Sequence, residues 1–306
     1  MDIVLKTSIE INNMEKNQLI FYILFVLIIS SCRNREQIVD QRLLSNNDFR
    51  LFQGTPAWEL AKTVEDEEEK GIYEILKKEP ILVNYQSPKY GVTLLHLAVS
   101  HQLLKSIECL LKAGANVNIR DKEYGETPLN TACLASAMGG KSIEIINVLI
   151  KNGANVNVTD ITNSDKMPRS PLMSACLDNF KDAVVLLIAK GADVNYIRNS
   201  ESTALGESLM LGHYRIAYYL LLHGADYAKP IMHIRDDRKE ECGKITRSVF
   251  IKEEMEKKKI DYFTPEREYY YKIVDFLKEK GIFIKETGKR SFDPSTFIKE
   301  IKELRE

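Results

Sequence analysis

The chain has 306 residues, and its 43 Lys and Arg residues nearly balance its 44 Asp and Glu residues. With 44% hydrophobic residues, a chain of this length can bury the core of one large or two small soluble domains. The balanced charge gives no electrostatic reason to expect nucleic acid or a membrane surface as a partner. The five cysteines show no CxxC spacing, so the sequence indicates neither a zinc site nor a disulfide framework.

An unbroken apolar stretch of 11 residues, Leu19–Ile29, lies near the amino terminus. A transmembrane helix needs about 20 apolar residues, so this stretch is too short to span a bilayer. Its length is typical of the h-region of a secretory signal peptide, and the small residues that follow it supply a cleavage site. A start at Met14 gives the positive n-region of such a signal, whereas a start at Met1 does not. We therefore predict a signal peptide in residues 1–31, with Met14 as the natural start.

The end of this stretch, Ile29-Ser30-Ser31-Cys32, resembles the bacterial lipobox. The resemblance implies that Cys32 is lipidated and becomes the mature amino terminus. The alternative is a buried core helix that happens to end in cysteine. We predict that residues 32–54 are the lipidated cysteine and a polar tether. This places the protein in the cell envelope, as a lipid-anchored membrane protein on the periplasmic or surface side.

One short stretch recurs along the rest of the chain. Ala113–Asn118 returns as Asn152–Asn157 and as Lys190–Asn195, and His223–Asp226 is a truncated fourth copy. Each copy follows an apolar helical pattern and precedes a polar turn, after which a Thr or Ser opens the next helical pattern. Self-similarity of this kind predicts a repeat protein.

The helix openings identify the kind of repeat. Thr93–Ala98, Thr-Leu-Leu-His-Leu-Ala, and the Thr-Pro-Leu of Thr127–Leu129 resemble the opening motif of ankyrin repeats. Thr93 is suited to cap a helix, and Gly114 to end one. The resemblance implies an all-α fold, an ankyrin-repeat solenoid of stacked helix-turn-helix units with β-turn fingers.

The positions of these openings and turns predict the domain organisation. We expect a single repeat domain in residues 55–306, in which surplus residues fall in the loops. Within residues 229–306 we expect an inserted charged hairpin, a helix ending at Gly281 and a last helix over Pro294–Arg305. The successive units are an amino-terminal cap (55–86), four repeats (90–121, 122–159, 160–201 and 202–228), and a degenerate repeat with a carboxy-terminal cap (229–306).

The sequence contains no complete catalytic or cofactor-binding motif. His96 occupies the family's histidine position, where hydrogen bonding between turns is the usual role. Gly139–Ser142 ends in Gly-Lys-Ser but lacks the upstream glycine of a phosphate-binding loop. Cys133 and Cys176 occupy equivalent repeat positions and are interpreted as small buried apolar residues. We expect no enzyme activity, metal, cofactor or small-molecule substrate, and no nucleic-acid partner, because the basic residues alternate with acidic ones.

The candidate binding residues lie at the finger tips and on the groove side of the inner helices, because ankyrin proteins commonly bind another protein there. Tyrosine and arginine, which are enriched in binding hot spots, recur in the fingers. The alternative for each tyrosine is packing on a neighbouring finger. The predicted finger residues are Lys89, Tyr90, Arg120, Lys122, Tyr124, Lys166, Arg169, Tyr196 and Arg198, and the predicted groove residues are His101 and Met210.

The function predicted from these features is a non-catalytic protein–protein interaction module, displayed at a bacterial membrane as a lipoprotein. Its partners would be an unidentified protein and, through Cys32, the membrane. One alternative is an immunity-like inhibitor of a toxin or hydrolase. Another is an enzyme with a site in the charged insertion 235–264, where clustered acidic residues could hold a metal unless the neighbouring Arg238 and Lys239 pair with them. A third is a self-associating scaffold.

Overall fold

The computed structural model describes residues 38–134, 142–157, 169–198, 202–228, 232–235, 245–249, 251–257 and 266–284. The chain divides into two units, residues 1–44 and residues 45–306. The described part of the first unit contains a single 3₁₀ turn, Gln41–Leu43, in which the N–H of Arg42 donates to the Asp40 carboxylate. The predicted signal peptide and Cys32 lie outside the described residues.

The second unit is built from pairs of short α-helices. We number the helices and strands of its described ranges in chain order. They are α1 (Trp58–Glu65), α2 (Glu69–Lys78), α3 (Leu94–Ser100), α4 (Leu104–Lys112), α5 (Pro128–Cys133), α6 (Ser142–Lys151), α7 (Pro171–Leu177), α8 (Lys181–Ala189), α9 (Ala204–Leu211), α10 (Tyr214–Leu222), β1 (Met232–Arg235), β2 (Ile245–Val249), α11 (Ile251–Lys257) and α12 (Glu266–Glu279).

The helix pairs stack side by side in two layers. The first helix of each pair packs on the first helix of the next, from α1 through α3, α5, α7 and α9 to α11. These are the inner helices, and the second helices of the pairs form the outer layer. Apolar side chains of both layers, such as Leu97 in α3 and Ile146 in α6, are almost fully buried between them. The predicted all-α solenoid is confirmed.

The predicted helix signals act as expected. Thr203 Oγ1 accepts the N–H of Gly206 at 3.0 Å, and Ser170 Oγ accepts that of Met173 at 3.2 Å, so both residues cap inner helices. The outer helix α4 ends before Gly114, which has φ +90°. A side chain would be strained there, so the glycine lets the chain turn out of the helix without cost.

Asparagine side chains that follow these glycine turns join successive units. Asn157 Nδ2 donates to the carbonyl of Gly191 at 3.0 Å, and Asn157 Oδ1 accepts the N–H of Asp193 at 2.7 Å. Asn118 and Asn195 make the same two bonds to the units that follow them. We call this series the asparagine ladder. It fixes the spacing between units at the ends of the outer helices.

Residues 45–54, which the sequence places in the tether, are packed against the repeat domain. Phe49, Leu51 and Phe52 form a 3₁₀ turn with Arg50 and are only 2%, 1% and 0% exposed. The turn contacts α1, and the Phe52 ring lies 6.2 Å from that of Tyr85. The sequence did not predict this packing, because three apolar residues in a polar context are too few to give a periodic signal.

The insertion before the last helix pair contains a two-stranded antiparallel sheet, with β1 paired to β2 so that Met232 lies opposite Val249. The sequence predicts a charged hairpin here. After it, α11 packs on α9 and α12 on α10, as an inner and an outer helix do. The predicted last helix, Pro294–Arg305, lies outside the described residues. Among the helices of the described ranges, none is long and apolar enough to cross a membrane.

We expect Asn157→Ala to lower the free energy of unfolding by about 0.5–1.5 kcal/mol, because it removes two solvent-exposed side-chain hydrogen bonds to the backbone of the next unit. Asn152→Ala is the matched control, since the Asn152 side chain bonds to the Val148 carbonyl, one turn back in its own helix, at 2.8 Å. Urea denaturation followed by circular dichroism measures both. Equal losses in the two variants would contradict a coupling role for the ladder.

Candidate protein-binding surface

The fingers are the tight turns that connect one outer helix to the next inner helix. In the first finger, the N–H of Ser87 donates to the carbonyl of Val92 at 2.8 Å. In the second, the carboxylate of Asp121 accepts the N–H groups of Glu123 and Tyr124 at 2.7 and 2.6 Å. These bonds hold the backbone that presents the finger side chains.

Neighbouring fingers are also joined to each other. The N–H of Lys122 donates to the carbonyl of Tyr90 at 2.7 Å. Gln86 Nε2 donates to the carbonyl of Arg120 at 3.0 Å. The first two fingers therefore form one continuous strip, which we call the finger strip, made of residues 86–92 and 119–126.

The finger strip combines cations and aromatic rings. The ammonium group of Lys89 lies 4.4 Å from the centroid of the half-buried Tyr90 ring. Lys122 is exposed, and Tyr124 is 50% exposed. The guanidinium of Arg120 donates to the carbonyl of Gly125 at 3.0 Å, which holds this side chain against its own finger. Five of the residues proposed from the sequence thus lie together on one surface.

Three more of the proposed residues, Arg169, Tyr196 and Arg198, lie near this strip. Arg169 Nη1 is 3.8 Å from Glu126 Oε1. Burial raises the pKa of the half-buried Tyr196, while the charges of Arg120 and Arg198 act to lower it. Side chains from fingers separated in sequence therefore lie within electrostatic range of one another.

The two proposed groove residues are far apart in the stack. His101 Nε2 lies 2.7 Å from the carbonyl oxygen of Asn47, and its ring centroid is 5.2 Å from that of Phe49. The segment before α1 therefore contacts His101 directly. Met210, at the end of α9, is 42% exposed. The proposed Lys166 lies outside the described residues.

Two buried carboxylates, one in the second finger and one in α9, were not proposed from the sequence. Glu126 and Glu207 are 9% and 6% exposed. Burial, followed by the charge of Asp121, raises the pKa of Glu126 to about 7, while Arg169 and Arg198 oppose the shift. Burial likewise raises the pKa of Glu207, again against the two arginines and a hydrogen bond from Ser202. One signal was available: Glu126 and Arg169 each precede the helix-opening Thr or Ser of successive repeats.

The histidine position of the repeat has the expected structural role. The imidazole Nδ1 of His96 accepts the N–H of Thr93 at 3.1 Å, and its Nε2 lies 3.3 Å from the carbonyl oxygen of Glu126 in the next unit. Burial lowers the pKa of His96 to about 4. Asn130 replaces the histidine in the next repeat and makes the same type of link, donating to the Arg169 carbonyl at 2.8 Å.

Other reactive side chains of the described ranges are buried or dispersed. Cys133 and Cys176 are both fully buried, as predicted, and burial raises the pKa of the Cys176 thiol to about 12. Across the described ranges, no group of three His, Cys, Asp or Glu residues could hold a metal ion. The acidic residues proposed as an alternative metal site, Asp236, Asp237, Glu240 and Glu241, lie outside these ranges.

We expect the pH dependence of stability to report on Glu126. Its pKa of about 7 in the folded state exceeds the ordinary value of 4.5, so the folded state binds this proton more tightly. The resulting stabilisation is present at low pH and is lost as the pH rises through 7.

The free energy of unfolding should therefore fall by about 1–3 kcal/mol more in the unaltered chain than in Glu126→Gln between about pH 5 and about pH 8. Urea titrations across this range measure the difference. Glu144→Gln, which alters an exposed carboxylate of α6, should keep the unaltered profile. Parallel profiles for the unaltered chain and Glu126→Gln would show that this carboxylate is not perturbed.

Comparison with known proteins agrees with this geometry. A family model described as "Ankyrin repeats (3 copies)" matches residues 60–160 and 137–230, which together exceed half of the chain. A protein of Saccharomyces cerevisiae, "Probable 26S proteasome regulatory subunit p28", is 34% identical over 124 residues. That match covers 39% of this chain and 50% of the yeast protein. With its stacked helix pairs, fingers and matching sequence, the chain belongs to the ankyrin repeat family.

Proposed function

We propose that this ankyrin repeat protein binds a protein partner through the finger strip and is displayed at a bacterial membrane by a lipid on Cys32. The observation that carries the binding proposal is the backbone-linked strip of Lys89, Tyr90, Arg120, Lys122 and Tyr124. A surface held in one conformation loses little entropy when it binds, which favours recognition.

The composition of the strip supports protein recognition. Tyr124 presents a large ring that is 50% exposed, and tyrosine contributes contact area with few rotatable bonds. Lys89, over the Tyr90 ring, and the exposed Lys122 add charges to the strip. Aromatic anchors bordered by polar groups are typical of interface hot spots.

Binding without catalysis agrees with the comparisons. Ankyrin repeats are a protein–protein interaction architecture, and the yeast relative is named as a regulatory subunit. The match spans only half of the yeast protein, so we do not infer that this chain joins the same assembly. We describe the partner only as a protein that contacts the finger strip.

Display at a membrane is supported by the amino-terminal sequence. The apolar run of 11 residues is followed directly by Ser30-Ser31-Cys32, the pattern that resembles a lipobox. A single acyl chain gives only marginal membrane binding, whereas two or more anchor a protein stably. The proposal therefore places the binding module at the membrane surface.

The binding proposal predicts that the full chain captures a partner from native membranes and that Tyr124→Ala reduces this capture by about tenfold or more. Tyr73→Ala is the matched control, because Tyr73 lies on α2, away from the fingers, and is 40% exposed. Quantitative mass spectrometry of the captured proteins compares the variants after circular dichroism has verified their folding. Equal capture of the same protein by both variants would exclude the finger strip as the contact.

The lipoprotein proposal predicts a mature chain that begins with a lipid-modified Cys32. Mass spectrometry of the protein from the membrane fraction detects this modification. Cys32→Ala should abolish the modification and release the protein from the membrane. An unmodified chain that retains residues 14–31 would contradict this part of the proposal.

A further inference from the structure

Two buried carboxylates share one arginine. Glu126 ends the second finger and is 9% exposed, and Glu207 lies on α9 and is 6% exposed. Arg169, which directly precedes the capping residue of α7, acts electrostatically on both of them. The three side chains come from three successive repeats. They therefore form a contact between repeats that depends on charge and not on apolar packing.

The ionised form of either acid is poorly compensated at this junction. Arg169 Nη1 lies 3.8 Å from Glu126 Oε1, which is longer than a hydrogen bond. Glu207 Oε1 accepts the hydroxyl of Ser202 at 3.2 Å, but its Oε2 is buried and has no hydrogen-bond partner among the described residues. The same is true of Arg169 Nε. Because a buried charge without close partners is costly, the geometry disfavours ionisation of both acids.

The charged groups around Glu126 leave this preference in place. Burial, followed by the charge of Asp121 in the same finger, raises the pKa of Glu126 to about 7. Arg169 and, from a later finger, Arg198 oppose this shift without cancelling it. The Nε2 of His96 lies 3.3 Å from the Glu126 carbonyl oxygen, and the pKa of His96 is about 4, so this imidazole is neutral when Glu126 titrates. Glu126 therefore exchanges a proton near neutral pH.

Glu207 is shifted in the same direction. Burial raises its pKa, while the charge of Arg169, the hydrogen bond from Ser202 and the charge of Arg198 act to lower it. The thiol of Cys176, on α7, also faces this carboxylate, and burial raises the pKa of that thiol to about 12. Both acids thus hold their protons more tightly in the folded chain than in the unfolded chain.

Resting on the function proposed above, we propose that Glu126, Arg169 and Glu207 form a proton-dependent clamp that controls the finger strip. With both acids protonated, the three repeats stay in contact at this point, and the strip keeps the conformation that binds the partner. Ionisation favours an open form, in which water reaches the two carboxylates and supplies the hydrogen bonds that the closed junction lacks.

The clamp acts on the strip through the backbone of Glu126. Its N–H donates to the Asp121 carboxylate at 3.1 Å, and its carbonyl accepts the N–H of Asp121 at 2.9 Å. The same carboxylate accepts the N–H groups of Glu123 and Tyr124. Movement of Glu126 towards water therefore disturbs the turn that presents the Tyr124 ring. A partner that needs this ring in place binds only the closed fraction of the molecules, so its apparent affinity falls with that fraction.

Protons favour the closed form. Both acids have folded-state pKa values above the ordinary value of 4.5, so the closed form binds protons more tightly than the open form does. This advantage is present at low pH and is lost as the pH rises through about 7, the pKa of Glu126. The partner should therefore bind more tightly in mildly acidic than in mildly alkaline solution.

Native-state hydrogen exchange of the full chain, without a partner, tests the clamp itself. After correction for the intrinsic exchange rate at each pH, the protection of residues 119–126 should fall by about tenfold or more between about pH 5.5 and about pH 8. The protection of α2, which lies outside the three repeats, should change little. The double variant Glu126→Gln, Glu207→Gln has no proton to release at this junction and should keep its protection at both pH values.

The matched control is the double variant Glu108→Gln, Glu144→Gln, which alters exposed carboxylates of α4 and α6. It should lose protection in the finger as the unaltered chain does. The pH profile of the unaltered chain is informative by itself, so the test does not depend on the folding of any variant.

The second measurement uses the purified protein that the full chain captures from membranes, immobilised for surface plasmon resonance. The unaltered chain should bind it about threefold or more tightly at about pH 6 than at about pH 8, relative to the Glu126→Gln, Glu207→Gln variant. Taking the ratio to this variant removes the effect of titrating groups on the captured protein.

Finger protection that does not change with pH, or that changes equally in the Glu126→Gln, Glu207→Gln variant, would overturn the clamp. An affinity ratio that is the same at both pH values would also overturn it. The loss of capture expected for Tyr124→Ala does not depend on protons. Failure of the clamp is therefore distinguishable from failure of the finger strip as the binding surface.

Discussion

The asparagine ladder is the interaction on which the rest of the structure depends. Asn118, Asn157 and Asn195 each join their own unit to the next through one donated and one accepted hydrogen bond. Because each bond reaches the backbone beside a glycine turn, the ladder sets how far apart successive outer helices end. The series stops at Ala228, which stands where the earlier copies have asparagine and has no side-chain amide to extend it. The last helix pair is held instead by apolar packing, with Ile273 and Leu277 of α12 fully buried.

This regular spacing also positions the surface that we propose for binding. A fixed distance between units brings the carbonyl of Tyr90 to the N–H of Lys122, so two fingers become one strip. It also brings Glu126 and Arg169, which occupy the same place in successive repeats, within 3.8 Å of each other. The binding surface and its buried carboxylates are therefore consequences of the stacking. A change in the ladder would disturb both, although none of its residues needs to touch a partner.

The repeat architecture could be predicted from sequence because its signals are local. The threonine or serine before α3, α5, α7 and α9 and the glycine after α4, α6, α8 and α10 act within one turn of the backbone. Three features could not be predicted, because they arise from contacts between distant residues. Phe49 and Phe52 are buried because the turn that contains them packs against α1 and Tyr85. Val249 lies in β2, which is a strand because it pairs with β1, a segment separated from it in the chain by residues 236–244. Glu126 is surrounded by Asp121 of its own finger and by Arg169 and Arg198, which are distant in the chain and meet it only in the folded stack.

We propose that the fingers, and not the outer helices or the β1–β2 hairpin, contact the protein partner. Hydrogen–deuterium exchange of the full chain, alone and in complex with its captured partner, tests this claim most directly. We expect slower exchange on binding in residues 86–92 and 119–126, with little change in α4, α6 and α8. Protection confined to the outer helices or to the hairpin strands, with unchanged exchange in both fingers, would contradict it.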